Sequence, residues 1–399
     1  RLYHKLVPDR ITFPKSHMSR EDLDRLLAAG FIRALNRSQV KRCATIFSVA
    51  ERRKFRRRPI YWPKKINQAL QDLNFPPPPL PDIVETTTQM HSGSEAKCFD
   101  LAVSFFQCPL SEGVQPYFSF CAEEEFFCLT VMPMGCVHAP TTMHAITDTL
   151  ATFDTSATKC VFVDNVRFIG DSPTLKAADN EFRQRCAYVC ATLNPPELDS
   201  IFLGIEHNYA KKQHRLAQKS LDTLTDLADV CLQDPAASFD DFRAFFGSLS
   251  HCSRILRVPL CQFYHSVKLF RRRAAEVASG KRTVDDPMQL WPSARKNMLS
   301  WVAILTRNPW VSALPDVKQQ HRFVMVTDAS TFGYGGVLFD EQTGECWEHG
   351  GKWDTQNTHR QINEDEATAV SRCAAVLKPI IGSASLLLLV DNTSTQATL

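Results

Sequence analysis

Two aspartates close short apolar runs in the first half of the chain. Asp100 lies in Lys97–Leu110 (KCFDLAVSFFQCPL) and Asp164 in Cys160–Gly170 (CVFVDNVRFIG). An acid at the end of an apolar strand is delivered to the rim of a sheet. Two such acids meeting in space would offer the hard oxygen ligands that Mg²⁺ prefers. Paired ions about 4 Å apart can activate an attacking oxygen and stabilise a leaving one in phosphoryl transfer. Taken singly, each residue also reads as an ordinary turn-forming Asp. Further along, Asp328 ends FVMVTD, Asp391 ends a second apolar run, and Glu366 sits in INEDEATAVSRCAAVL between them. Glu366 has a local alternative, since Asn363-x-x-Glu366 can form a capping-box-like helix start.

The elements that must position these groups follow from periodicity and punctuation. Ser19–Leu35 opens with a Ser cap and an acidic first turn, which predicts an amphipathic helix. Between Lys97 and Cys160 strand-like runs alternate with turn residues, and Asp164–Asn165 is expected as a tight polar turn between two strands. Leu175–Leu193 is expected to be helical and Phe202–His207 a short strand, and helical spacing returns over Phe239–Arg273. A linker containing Gly280, Pro287, Pro292, Pro309 and Pro315 precedes a β-rich unit at Arg322. There Phe323–Asp328, Gly333–Phe339, a strand after the Gln342–Gly344 turn, and Leu386–Asp391 are expected strands, with Ile362–Leu377 a helix. Ser385–Val390 (SLLLLV) fits a buried strand.

Charge is distributed unevenly. The 399 residues carry a formal +3, yet residues 1–68 hold 18 Lys+Arg against 5 Asp+Glu, so a +13 head precedes a −10 remainder. Basic clusters at Arg52–Lys54, Arg56–Arg58 and Lys64–Lys65 are interrupted by Phe55, Tyr61 and Trp62. Phe75–Pro81 (FPPPPLP) follows as a stiff spacer. A second basic stretch, Arg254 to Arg282, holds 8 Lys+Arg against Glu276 alone. Such a layout suggests a polyanion partner, a solvated basic face being the plainer reading. No run approaches the ~18 apolar residues of a membrane helix. The 14 cysteines show no Cys-x-x-Cys pair, which reads as reduced core cysteines of an intracellular protein, in cytoplasm or nucleus; Cys186 and Cys190, one helical turn apart, read as packing. A chain starting at Arg1 without Met is expected to be a fragment or to have lost a leader.

In order, RRRPIYWPKKIN (Arg56–Asn67), CFDLAVSFFQCPL (Cys98–Leu110), FCLTVMPMGCVHAPTTM (Phe127–Met143), FVDN (Phe162–Asn165) and FLGIEH (Phe202–His207) resemble a reverse transcriptase. The RRRPIYWP wording looks most like DIRS/VIPER-type, tyrosine-recombinase retrotransposons. The pattern TDAS…INEDEATAV…VDNTS resembles a ribonuclease H domain. These resemblances imply an α+β right-hand polymerase (fingers, palm, thumb) followed by a partial ribonuclease H-like α/β domain. The implied boundaries are 1–97 for the N-terminal helix and basic fingers, 98–206 for the palm with primer grip, 207–275 for a helical thumb, 276–321 for a connection, and 322–399 for the ribonuclease H-like unit.

The resemblance also implies roles. Asp100 and Asp164, with the backbone carbonyl of Leu101, would bind Mg²⁺, with Mn²⁺ as an alternative, and Asn165 completes the catalytic box. Phe105 would be an aromatic gate against a ribose 2′-OH. Met134 and Gly135 would flank the nascent base pair, and Arg58 would grip the incoming dNTP triphosphate, a bidentate task suited to guanidinium. Arg56 and Arg57 would touch template backbone or be solvated. Phe202, Leu203 and Gly204 would hold the primer end, and Arg254–Arg273 would form the thumb. Asp328, Glu366 and Asp391 would be ribonuclease H metal ligands, with Glu364 out of register. The implied partners are an RNA template, DNA primer and product, the RNA/DNA hybrid and dNTPs, with no membrane.

Three departures from the pattern bear on activity. Asn165 stands where a second Asp is usual. Pro196–Glu197 falls near where a lysine is usual. The chain stops eight residues past Asp391, so the ribonuclease H unit is expected to be truncated at its C-terminus. The sequence therefore reads as an RNA-directed DNA polymerase with an associated ribonuclease H. The alternative is a catalytically reduced, domesticated reverse-transcriptase-like subunit of a ribonucleoprotein, RNA-binding or structural.

Overall fold

The computed structural model describes residues 11–51, 56–71, 77–195, 199–313, 322–353, 362–382 and 384–391. Arg52–Lys54, the Phe75–Pro76 start of the proline spacer, Pro315, Pro196–Glu197 and everything after Asp391 lie outside the described residues. Helices and sheets are mixed, and the chain divides into two units. One comprises residues 1–223 with 308–313, the other 224–307 with 314–399.

The first unit begins with a shorter helix than the sequence predicts, Arg20–Ala28. The Ser19 hydroxyl accepts the Asp22 N–H at 3.2 Å, and Glu21 and Asp22 suit the positive end of the helix dipole. Gly30, at φ +71°, ends it: its N–H bonds to Leu27 O and that of Phe31 to Leu26 O, the paired closure that a left-handed residue permits. The chain leaves as a strand, Ile32–Leu35, so the expected helix to Leu35 is corrected. That strand is the edge of a five-stranded sheet continuing through Glu125–Leu129, Ser119–Ala122, Cys43–Glu51 and Arg56–Trp62. Leu23, Ile46, Phe120 and Phe127 form its core.

Next comes a three-stranded sheet with Asn165–Gly170 at the centre, between Glu95–Asp100 and Thr158–Phe162. Its Val166 and Phe168 face the helix Ser172–Tyr188, where they pack with Phe99 and Phe182. Alternation along the central strand turns Arg167 and Ile169 to the other face. Ile169 packs there with Met90 and with Tyr209, which follows a strand of a third sheet, Ile201–Phe202, Ile205–Asn208, Gln213–Leu216 and Val311–Ser312. Three helices of this unit were not anticipated, Lys64–Gln71, Ile83–Thr88 and Ala139–Ala151. The expected single strand over Phe202–His207 is two strands and a turn.

In the second unit, residues 224–307 are helical. Phe239–Leu256, Tyr264–Ala278 and Pro292–Thr306 pack around Trp301, whose ring stacks on Phe263 at 4.4 Å. The last helix, opened by Pro292, falls where a linker is expected. Residues 322–353 and 384–391 contribute a four-stranded sheet ordered Cys346–Lys352, Gly333–Asp340, Phe323–Ala329, Leu386–Leu389; the last pair is parallel and the others antiparallel. The helix Ile362–Ile381 covers one face through Val370, Cys373 and Leu377. Leu386–Leu389 is only half-buried rather than a buried strand, because Leu387 and Leu389 point to the face opposite that helix and are exposed with Val326 and Phe339.

Candidate functional site

The first candidate site is the end of the three-stranded sheet. Asp100 is the last residue of its strand and pairs with Asn165, the first of the neighbouring one. Phe162 also pairs with Asn165, so the turn consists of Val163 and Asp164 rather than Asp164 and Asn165. Val163 carries the left-handed φ of +56°, an unusual conformation for a β-branched residue that costs on the order of 1–3 kcal/mol. It leaves Asp164 in the turn at the sheet's end, half-exposed. The Leu101 N–H donates to Asp164 O at 3.2 Å, which ties the two acid-bearing segments together.

Neutral donors hold both carboxylates. Asn194 Nδ2 donates to Asp100 Oδ2 at 2.6 Å, Ser104 Oγ to Asp164 Oδ2 at 2.7 Å, and Asn165 Nδ2 to Asp164 Oδ1 at 3.1 Å. Asn165 thus acts on its neighbour as a hydrogen-bond donor where an acid would add a negative charge. The residues fit a hard cation by donor type, each acid being half-exposed and offering oxygen. Asn194 and Ser104 were not anticipated, although Ser104 lies inside the quoted Cys98–Leu110 run and Asn194 two residues before Pro196.

The other expected residues of this unit fall as follows. Phe105 lies in the short helical turn Ser104–Gln107, half-buried against the five-stranded sheet's core. Gly135 has φ +107°, and a Cβ there would fall 2.4 Å from the Tyr61 carbonyl oxygen, so only glycine lets the turn lie against this strand. Asn67 clamps it, donating to Gly135 O and accepting from the Val137 N–H, each at 2.9 Å. Met134 is half-buried beside it. Arg58 sits opposite Val49 on the basic strand. Arg57 is not simply solvated: its Nε lies 3.0 Å from Asp22 Oδ2, because alternation turns it toward the helix Arg20–Ala28. Leu203 and Gly204, both at positive φ, make the two-residue turn of a hairpin, and Phe202 is buried.

Beneath that hairpin lies Arg167, which sequence reasoning missed. Its guanidinium is fully buried, donates to Thr86 O at 2.8 Å and Gln89 Oε1 at 3.1 Å, lies 3.1 Å from His207 Nε2, and sits 4.6 Å from the centre of the Phe202 ring. None of these partners is charged. Burial, with Arg167 and His214 beside it, pushes the His207 pKa well down, so its imidazole is neutral. The signal available was a lone arginine inside the apolar run VRFIG.

The second candidate site is carboxylate-only. Asp328, Glu366 and Asp391 each place an oxygen within 4.8 Å of the others. Two come from the adjacent parallel strands, Asp391 just past the end of its own, and the third from the helix that crosses them. Glu366 is buried; its Oε1 accepts the Ala329 N–H at 3.4 Å, while Oε2 has no partner. Burial raises the Glu366 pKa, opposed by that hydrogen bond and reinforced by Asp391, Asp328 and Asp365. An orphaned carboxylate oxygen among acids is what a hard divalent cation would satisfy, so the residues fit one. Asn363 lies within the helix instead of at its cap, so the carboxylate of Glu366 is directed to the strand. Asp365, buried beside it, was not anticipated, and Glu364 is exposed.

No model of a known protein family matches the chain, and no curated protein matches it in sequence. Solved structures do. The foamy viral protease-reverse transcriptase dRH in complex with double-stranded DNA aligns with TM-score 0.59 at 13% identity, over 98% of this chain and 66% of that one. The foamy viral protease-reverse transcriptase with double-stranded DNA aligns at 0.55 and 15% identity, over 98% and 78%. The same protein with an RNA/DNA hybrid aligns at 0.58 and 12%, over 98% and 50%. The chain therefore shares the fold of these proteins and spans between half and about four fifths of their length. Among the described residues no helix is long and apolar enough to cross a membrane.

Proposed function

We propose that the chain is an RNA-directed DNA polymerase with an associated ribonuclease H unit, taking an RNA template, a DNA primer, dNTPs and the resulting hybrid. The observation that carries this reading is the pairing of Asp100 with Asn165, which sets Asp100 and Asp164 at one sheet end within a reverse-transcriptase fold. The wording of the basic strand favours a retrotransposon of the DIRS/VIPER type. In this reading 1–97 are fingers, 98–206 palm, 207–275 thumb, 276–321 connection and 322–399 the ribonuclease H-like unit.

Asp100, Leu101 O and Asp164 would hold Mg²⁺ or Mn²⁺ in the polymerase, and Asp328, Glu366 and Asp391 would hold it in the nuclease. Bound there, the cation supplies charge neutralisation and a Lewis acid for phosphoryl transfer. The chain's own groups do the positioning. Ser104, Asn165 and Asn194 fix the carboxylate rotamers, and Phe202–Gly204 support the primer end. Met134–Gly135, clamped by Asn67, back the nascent pair, Arg58 neutralises triphosphate, and Phe105 excludes a 2′-OH. Glu366, reluctant to ionise alone, gains most from a cation. Primer extension on an RNA template, comparing wild type with Asp164→Ala, tests the reading. Template binding without any extension in Mg²⁺ or Mn²⁺ would instead support the reduced, RNA-binding alternative, which the substitution of Asn165 for an acid favours.

A further inference from the structure

Away from both carboxylate sites, the helix Tyr264–Ala278 ends in a group of arginines short of counter-charge. Arg272 and Arg273 lie four and three residues before Glu276 and so share its side of the helix. Gly280, at φ +71°, then turns the chain back, and the Lys281 N–H bonds to Glu276 O at 2.9 Å. This return brings Arg282 to the same carboxylate. Arg272, Arg273 and Arg282 approach Glu276 at 3.4, 3.5 and 3.4 Å. A well-made guanidinium–carboxylate bond is about 2.7–2.9 Å, so one acid is shared loosely among three cations.

The group surrounds a cavity of about 130 Å³, completed by Gln289 and Trp291. Arg272 lies 5.8 Å from the centre of the Trp291 ring. The Arg273 side chain is 6% exposed, and its Nη1 is buried with no hydrogen-bond partner. A further acid that feels Arg282 and Arg273 is Asp286, kept below the usual carboxylate range first by hydrogen bonds to Thr283 and then by those arginines. Its Oδ2 is already occupied by the Thr283 N–H at 2.8 Å. A buried guanidinium with donors to spare, in a cavity several water volumes large, is a costly arrangement unless an anion enters. Planar N–H forks suit a tetrahedral oxyanion.

We propose that this cavity binds a phosphate group through Arg272, Arg273 and Arg282, with Glu276 as the internal competitor that the phosphate displaces. The source is either a nucleic-acid backbone or free phosphate. With a nucleic-acid backbone as the source the site rests on and deepens the polymerase reading, which places Arg272 and Arg273 in the thumb; with free phosphate it stands apart from that reading.

The test uses the full chain in EDTA, so that the carboxylate sites take no metal. Calorimetric titration with inorganic phosphate or pyrophosphate, and separately with a ~20-base-pair RNA/DNA hybrid, is run on wild type, Arg272→Gln, Arg282→Gln and Glu276→Gln. Saturable binding is expected, weakened at least fivefold in each arginine variant and tightened severalfold in Glu276→Gln. That gain is the decisive sign, because damage to the fold can only weaken binding. Thermal melting confirms that each variant is folded, and Arg282→Gln, in a surface turn, carries the test if Glu276→Gln does not fold. If the backbone is the source, the hybrid titration shows the same order, and the salt slope of Arg282→Gln falls by roughly 1. If only the small anions respond, free phosphate is the ligand. Equal binding of both ligand types by all four proteins, or weaker binding by folded Glu276→Gln, overturns the proposal.

Discussion

The guanidinium of Arg167 lies 4.6 Å from the centre of the Phe202 ring, so a fully buried cation on the strand that follows Asp164 rests against the hairpin that turns at Leu203–Gly204. Its other partners come from residues 86–89 and from His207. One side chain therefore joins the acid-bearing sheet to the sheet carrying Phe202.

Arg167→Ala is expected to leave Thr86 O, Gln89 and His207 unsatisfied at about 1–3 kcal/mol each, partly recovered by relaxation. Arg167→Met, which fills the volume without the charge, should cost less. Urea unfolding ranks the three proteins; an Arg167→Ala protein as stable as wild type would show that the link carries no weight.

His207 gives a pH prediction. Its pKa is depressed in the folded chain, so the unfolded chain binds the proton more readily below about pH 6.5. Stability should thus be complete above that value and fall as pH drops through it. His207→Gln should flatten that part of the profile; an unchanged slope would assign the loss to other groups.

Gly135→Ala tests the clamp at the Met134–Gly135 turn. Left-handed strain alone costs about 1–3 kcal/mol, and the added Cβ collides with the Tyr61 carbonyl. Melting temperature and primer extension should both drop. Retention of both would mean that the turn relaxes freely away from Tyr61.

How much of this was legible depends on where a residue's surroundings come from. Asp100, Asp164, Asp328 and Asp391 stand out because an acid ending an apolar run has only a rim to occupy. Arg167 does not, because only a second sheet packing on its face makes that face interior. The helix Ala139–Ala151 was hidden by its threonines, yet Thr142 and Thr149 satisfy their hydroxyls on carbonyls one turn back, at 3.0 and 2.7 Å. The Ser19–Leu35 pattern ran on as a helix because apolar spacing continues past Gly30, whose backbone, not its hydrophobicity, ends the element.

The carboxylate-only site should respond to cation and pH together. The raised Glu366 pKa means that its ionisation works against the fold as pH rises through and above its ordinary value of 4.5. A divalent cation should offset this, so Mg²⁺ or Mn²⁺ should raise the melting temperature more at pH 7 than at pH 4.5. Asp391→Asn should lose most of that gain. An equal cation effect at both pH values would argue against binding at these acids.

The most direct test of the central claim is single-nucleotide primer extension on an RNA template with Mg²⁺ or Mn²⁺, with wild type beside Asp164→Ala and Asn165→Asp. The account predicts dNTP addition by wild type, its loss by at least a hundredfold in Asp164→Ala, and retained or higher activity in Asn165→Asp. Folded wild-type protein that binds the primer–template and adds no nucleotide under either metal would contradict it.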